Sequence, residues 1–488
     1  MANLNNFPLV CTRAFINGSW CDADSGKTFP VTNPATGDLL AAVADLGADE
    51  TRRAIAAAAE AQPLWAQKTA KERSQLLRRW FDLVLLHQDE LAQILTLEQG
   101  KPLAEAKGEI AYGASYIEWF AEEAKRIYGD VIPPPNDNQR IIVIKQPVGV
   151  VAAITPWNFP SAMLARKLAP ALAAGCAVVA KPASETPLSA LAIAALAHEA
   201  GIPAGVINVV PGKDSAAIGE ELTTNPVVRK LSFTGSTAVG KKLIQQCADD
   251  IKRITLELGG NAPFVVFEDA DLDAAVDGAI ASKFRNAGQT CVCANRFYIH
   301  RSIYTQFSEK LITAMKGLAV GHGMDSGISI GPLISKNAVE KVKILVNDAL
   351  QRGARIGYQT ELDKKATEHG HFYPPTLLLD VARDATLNQQ EIFGPVAGLV
   401  VFDSDEEVIT LVNDSEFGLA SYCYTQNAKR IKQLSERIDT GMLGINTGLI
   451  SNEMAPFGGI KQSGWGREGS LYGIDDYVNI KYLCESFW

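Results

Sequence analysis

Val150-Val-Ala-Ala-Ile154-Thr-Pro-Trp-Asn-Phe-Pro160 decides the fold: a small apolar and β-branched run stops at a turn rich in proline. Similar runs recur at 177–180, 206–210, 230–233 and 254–258, with helical stretches between them. Such alternation predicts a parallel sheet with crossover helices, its strands covered on both faces. Ligands bind such sheets outside the carboxyl ends of the strands. The segments 155–160, 181–184, 211–212, 234–235 and 259–260 therefore share one rim.

Beyond this unit, a second α/β series runs from 262 to about 446, with strands expected at 264–267, 296–300, 398–402, 421–424 and 444–445. Before it, Phe15-Ile-Asn-Gly-Ser-Trp20 reads as a hairpin, because Asn-Gly between apolar residues suits a tight turn. Helical spacing then covers 49–87 and 90–127. Prolines at 133–135 break it, and 139–146 reads as a strand of a protruding arm.

At 488 residues, 47% hydrophobic and 21% charged, the chain is globular and long enough for two or three domains. A net charge of −9 argues against nucleic acid as a partner. The chain's start lacks a secretory pattern and no run approaches membrane-spanning length, so a cytoplasmic protein is expected, with no membrane partner. Eight scattered cysteines form neither a disulfide framework nor a metal site, and are read as reduced thiols.

Two motifs mislead. Gly235-Ser-Thr-Ala-Val-Gly240-Lys241 has P-loop spacing, but Lys242 stands where a magnesium-binding hydroxyl is needed. What survives is a helix start suited to a pyrophosphate. Gly464-Trp-Gly466-Arg-Glu-Gly469 fits the dinucleotide fingerprint, but it follows a loop and too little chain remains for a βαβ unit.

A thiol stands apart in Phe284-Arg-Asn-Ala-Gly-Gln-Thr-Cys291-Val-Cys-Ala-Asn-Arg296. Polar, small and glycine neighbours predict an accessible loop cysteine whose surroundings favour thiolate. Together with 155–160, Glu257-Leu-Gly-Gly-Asn261, Glu391-Ile-Phe-Gly-Pro395 and Pro456-Phe-Gly-Gly459, this stretch resembles the aldehyde dehydrogenase superfamily over nearly the whole chain. The resemblance implies two Rossmann-type α/β domains plus a small β arm. Residues 1–127 and 149–259 would bind cofactor, 260–445 would carry catalysis, and 128–148 with 472–488 would form an intersubunit arm and tail of a homo-oligomer, dimer or tetramer.

It also implies roles. Cys291 would attack the aldehyde, Asn158 would donate to the oxyanion beside the backbone N–H of Cys291, and Glu257 would be the base that activates water. None of the six histidines lies in these motifs, so a Cys–His pair is poorly supported. Thr155, Pro156, Trp157, Lys181, Ser184, Gly235, Ser236, Leu258, Glu391 and Phe393 would hold the cofactor. Ser184, where many NAD-preferring relatives carry an acid, with Lys181 nearby, favours NADP. Glu185 keeps NAD as the alternative.

Arg166, Arg285 and Ser451 match positions that bind the substrate carboxylate in the succinate-semialdehyde dehydrogenase subgroup. A small carboxylated aldehyde, succinic semialdehyde, is therefore expected. Glutaric semialdehyde is the rival, since one methylene is worth only about 1–3 kcal/mol. Cys293 matches a subgroup cysteine that under oxidant would close a strained, reversible disulfide with Cys291, its other reading being a plain core cysteine. Other classes are a non-redox thioester hydrolase and a non-catalytic structural protein. Glu257 favours water as acyl acceptor against the first, and the presence of Cys291 and Glu257 argues against the second.

Overall fold

The computed structural model describes residues 7–363 and 367–487. Five parallel strands form the centre of the first sheet, in the spatial order Ile207–Val209, Ala177–Lys181, Val150–Ile154, Val228–Thr234, Arg253–Glu257. The order reverses at Val150–Ile154, which opens a crevice between that strand and Val228–Thr234 at their carboxyl ends. The expected hairpin, Ala14–Ile16 with Ser19–Cys21, turns at Asn17 and Gly18, both at positive φ, and joins one edge where Phe15 faces Val209.

The second sheet is parallel except for one edge, in the order Arg355–Gln359, Thr376–Leu379, Val396–Phe402, Ala294–His300, Ala262–Val266, Ala420–Tyr424, Met442–Ile445. Its first two strands escaped the sequence reading, as did the hairpin of Thr28–Thr32 with Leu39–Ala44. Arg355–Gln359 is largely exposed and lacks a β-branched run, so periodicity could not reveal it.

Each expected long helical tract is two helices. Lys68 is extended and Thr69 starts a new helix through a reciprocal cap with Glu72, dividing Ala48–Gln67 from Ala70–Leu86. Gly100 at φ +96, followed by Lys101 and Pro102, divides Gln88–Gln99 from Leu103–Glu123. The helices Pro160–Ala174 and Pro187–Glu199 follow the first two strands and are almost wholly buried. Neither has a side-chain cap of its own. Glu109 accepts from the N–H groups of Ser161 and Ala162 at 3.0 and 3.2 Å, and Glu98 from Leu188 and Ser189 at 2.9 and 2.8 Å.

Arm and tail meet within one chain. Val478–Ser486 pairs antiparallel with Gln139–Pro147, which pairs in turn with Asp130–Ile132. Among the described residues no helix is long and apolar enough to cross a membrane.

The false dinucleotide fingerprint has a structural reason. Gly464–Trp465 is a short edge strand against Leu256 and Glu257, and Gly464, Gly466 and Gly469 all have positive φ. A Cβ on Gly464 would lie 1.9 Å from the Leu256 carbonyl oxygen. Gly464→Ala is expected to lower unfolding stability by about 3 kcal/mol, combining left-handed strain with overpacking. Denaturant unfolding checks this, and a loss below about 1 kcal/mol would contradict it.

Candidate active site

The two sheets direct their loops into one cavity of about 610 Å³. Cys291, Asn158, Glu257, Arg166, Arg285 and Ser451 all line it, as do Pro156, Trp157, Gly235, Ser236, Leu258, Glu391 and Phe393. Thr155, Lys181, Ser184 and Cys293 do not.

The loop before Cys291 is a left-handed hook. Asn286, Ala287 and Gly288 have φ of 51°, 54° and 75° in succession. Gly288 is obligatory, since a Cβ there would lie 2.2 Å from the Gly394 carbonyl oxygen. Hydrogen bonds from distant segments hold the strained conformation. The Asn286 backbone N–H donates to Glu105 at 2.8 Å, its side-chain amide donates to the Asn158 carbonyl at 3.1 Å, and Gln289 accepts from Ile334 N–H at 2.9 Å. Asn158 is buried and its side-chain N–H donates to the Gln289 carbonyl at 2.9 Å, leaving a second amide proton for another acceptor.

Arg166 is 1% exposed, with its guanidinium 4.1 Å from the Phe457 ring centre. Nη2 is ion-paired with Glu468 Oε2 at 2.8 Å, and Nε has no hydrogen-bond acceptor among the described residues. Nη1 donates to the Tyr112 hydroxyl at 3.3 Å. Arg285 lies 5.5 Å from the Phe159 ring centre. Unsatisfied guanidinium donors in a cavity match a carboxylate.

A dinucleotide fits the adjoining crevice. Thr155 Oγ1 and Thr234 Oγ1 are buried there without a partner among the described residues, and Ser236 caps the helix Thr237–Cys247, whose start offers N–H groups to an anion. Lys181 is 4% exposed, and burial, opposed by Glu185, lowers its pKa to about 8. Ser184 donates to Glu185 at 3.1 Å. Trp157 and Phe393 meet edge to face at 5.6 Å. Lys341, which lines the cavity, donates to the Glu391 carbonyl at 2.7 Å.

Residues 20–483 match the aldehyde dehydrogenase family. The chain belongs to that family. It is 59% identical over 482 residues, 99% of both chains, to the NADP(+) succinate-semialdehyde dehydrogenase of Escherichia coli. It is 58% identical over 483 residues, 99% of both, to a glutarate-semialdehyde dehydrogenase of Pseudomonas putida. The crystal structure of succinate-semialdehyde dehydrogenase from Burkholderia pseudomallei superposes with a TM-score of 0.96 at 59% identity, covering 98% of each chain.

Within this family member, charge is shared unevenly between two carboxyls. Glu257 is 2% exposed and neither oxygen has a hydrogen-bond partner among the described residues. Burial, then the Glu468 charge, push its pKa well above the ordinary range, against Arg166, Lys167 and Arg467. Burial also opposes the charge on Glu468, but Lys167 at 2.6 Å and Arg166 at 2.8 Å hold its pKa low. Paired acids pushed apart in this way can divide the roles of proton acceptor and fixed charge. Glu468 and Lys167 escaped the sequence reading. Glu468 sits inside the misleading glycine motif, and its partners are some three hundred residues away.

The expected thiolate-favouring surroundings of Cys291 are not met. Burial, then Glu391 and Glu257, push its thiol up to about 12, against Arg166 and Arg285. The polar neighbours face inward, so the loop is polar without being open. Cys293 is buried, its Sγ donating to the Lys283 and Ala294 carbonyls at 3.5 Å each.

Alkylation of Cys291 by iodoacetamide should therefore rise by about tenfold per pH unit through about pH 9 without a plateau. Burial brings the Glu391 pKa to about 7. Above that pH, Glu391→Gln removes a negative charge and should speed alkylation, whereas Arg285→Ala should slow it. A plateau below about pH 9 would contradict the raised thiol.

Proposed function

We propose that the chain oxidises succinic semialdehyde to succinate, with NADP as hydride acceptor, through a thioester on Cys291. The observation that carries this reading is the shared cavity: Arg166, Arg285 and Ser451 line the same space as Cys291, and Arg166 Nε has no acceptor among the described residues. Guanidinium groups would hold the substrate carboxylate and present its aldehyde to the thiol.

With its high pKa, the thiol requires a base as it reacts. Glu257 takes the proton from Cys291 as Sγ bonds to the carbonyl carbon, and Asn158 with the Cys291 backbone N–H stabilises the oxyanion. Bound NADP supplies an acceptor for the hydride that leaves this carbon. Glu257, having released its proton to solvent, takes another from a water that opens the thioester and frees the Cys291 sulfur. Aldehyde, water and oxidised cofactor thus become acid, reduced cofactor and one proton.

Thr155, Pro156, Trp157, Lys181, Ser184, Gly235, Ser236, Leu258, Glu391 and Phe393 would hold the cofactor. Lys181 and Ser184 would take the 2′-phosphate of NADP, while Glu185 beside them would tolerate NAD. Glutaric semialdehyde is the second reading, favoured by the Pseudomonas putida relative. Exposed Val131, Ile132, Ile480, Tyr482 and Phe487 on the arm and tail support a homo-oligomer. Eight free cysteines suit a reducing cytoplasm. A disulfide between Cys293 and Cys291 would require the Cys293 sulfur to turn away from the two carbonyls it now faces.

Initial rates of cofactor reduction test the reading, comparing succinic semialdehyde with a neutral aldehyde of equal carbon number, each with NADP and NAD. The charged aldehyde and NADP should be preferred. Arg285→Ala should cost about ten- to a hundredfold in kcat/KM for the charged aldehyde, the worth of a charge-assisted hydrogen bond, and little for the neutral one. Arg285 is the cleaner site, because removing Arg166 would also take away one of the two cations paired with Glu468. Equal losses for both aldehydes would contradict the carboxylate clamp.

A further inference from the structure

We infer that the turn Gln99-Gly100-Lys101, with Glu109, is a positioning element that sets Asn158 against the Cys291 loop. This rests on the reading of Asn158 as the oxyanion donor.

Lys101 is 1% exposed and does not line the cavity, yet its ammonium donates to the Asn158 carbonyl at 2.7 Å and to Glu109 Oε2 at 2.6 Å, and lies 3.8 Å from the Phe159 ring centre. Glu109 Oε1 accepts the N–H groups of Ser161 and Ala162. One buried ion pair thus grips segment 158–162 from both sides: Lys101 holds its first carbonyl and Glu109 holds the opening turn of the helix Pro160–Ala174. A buried pair is retained at a desolvation cost, and this one satisfies four hydrogen bonds in return.

The same turn reaches the thiol loop. The Gln99 side-chain N–H donates to Asn286 at 3.0 Å, and Asn286 donates to the Asn158 carbonyl, which therefore accepts from both Lys101 and Asn286. Asn158 closes the ring by donating to the Gln289 carbonyl, two residues before Cys291. The turn has no room to shift. A Cβ on Gly100 would lie 2.7 Å from Pro332 Cγ and 2.8 Å from Pro34 Cγ.

A double-mutant cycle between Lys101→Met and Asn158→Ala tests this, with succinic semialdehyde and NADP. Asn158→Ala should lower kcat by roughly 10²–10³. Lys101→Met alone should lower kcat by about ten- to a hundredfold, as misplacement of a catalytic group does, with KM changed by less than about threefold. In the Asn158→Ala background the Lys101→Met loss should vanish. Iodoacetamide alkylation of Cys291, which forms no oxyanion, should stay within about twofold in Lys101→Met.

Because Lys101→Met strands a buried carboxylate, the pair Lys101→Met with Glu109→Gln is measured too. It keeps an acceptor for Ser161 and Ala162 without a buried charge, and should show the same kcat loss. Additive losses in the cycle, or alkylation falling in step with kcat, would overturn the inference while leaving the oxyanion reading intact. An Asn158→Ala variant with undiminished kcat would overturn both.

Discussion

One buried carboxylate, Glu468, governs the protonation of the site. It holds Lys167 at 2.6 Å and Arg166 at 2.8 Å on the buried helix that follows Asn158. Burial, and then its charge, raise the proton affinity of Glu257, whose two oxygens face no hydrogen-bond partner among the described residues. Removing one member of such a cluster costs roughly 3–5 kcal/mol, because the others are left buried and unpaired. Structure and chemistry are inseparable here: the ions that hold the helix also decide which carboxyl can act as a base.

The sheets explain why these groups meet. The order reversal at Val150–Ile154 opens the crevice, and the parallel strands deliver 155–160, Gly235 and Glu257 to its rim. The second sheet brings the Cys291 hook and Glu391 to the same rim from the other side. Asn286 and Ala287, left-handed beside Gly288, store strain in that hook, and hydrogen bonds with Gln99, Glu105 and Ile334 sustain it. Burial then raises the thiol rather than lowering it, so reactivity depends on a base within the cavity.

Much of the first sheet was legible because buried parallel strands read as short β-branched runs and their turns carry proline and glycine. Many of the residues lining the cavity were legible through motifs, each local in sequence, but Glu105, Glu109, Tyr112 and Lys341 were not. Partnerships were not. Lys101 and Glu109 lie in a helical tract where charges read as a solvated face, and Glu468 hides among glycines that served as a decoy. The helix break at Gly100 was missed although Gly-Lys-Pro is a stop signal, because the apolar periodicity resumes in phase soon after. Polar neighbours of Cys291 suggested exposure; Cys291 is half-buried at the cavity wall, whereas Asn286 and Gln289 are buried and bond to each other's carbonyls.

The most direct test of the central claim, a thioester on Cys291 opened by water that Glu257 activates, is peptide mass analysis of Glu257→Gln mixed with succinic semialdehyde and NADP. The expected result is a succinyl adduct on the peptide carrying Cys291, formed slowly because the thiol has lost its base, matched mole for mole by reduced cofactor, and not turned over. Reduced cofactor without an adduct on Cys291, or steady turnover at the parent rate, would contradict it.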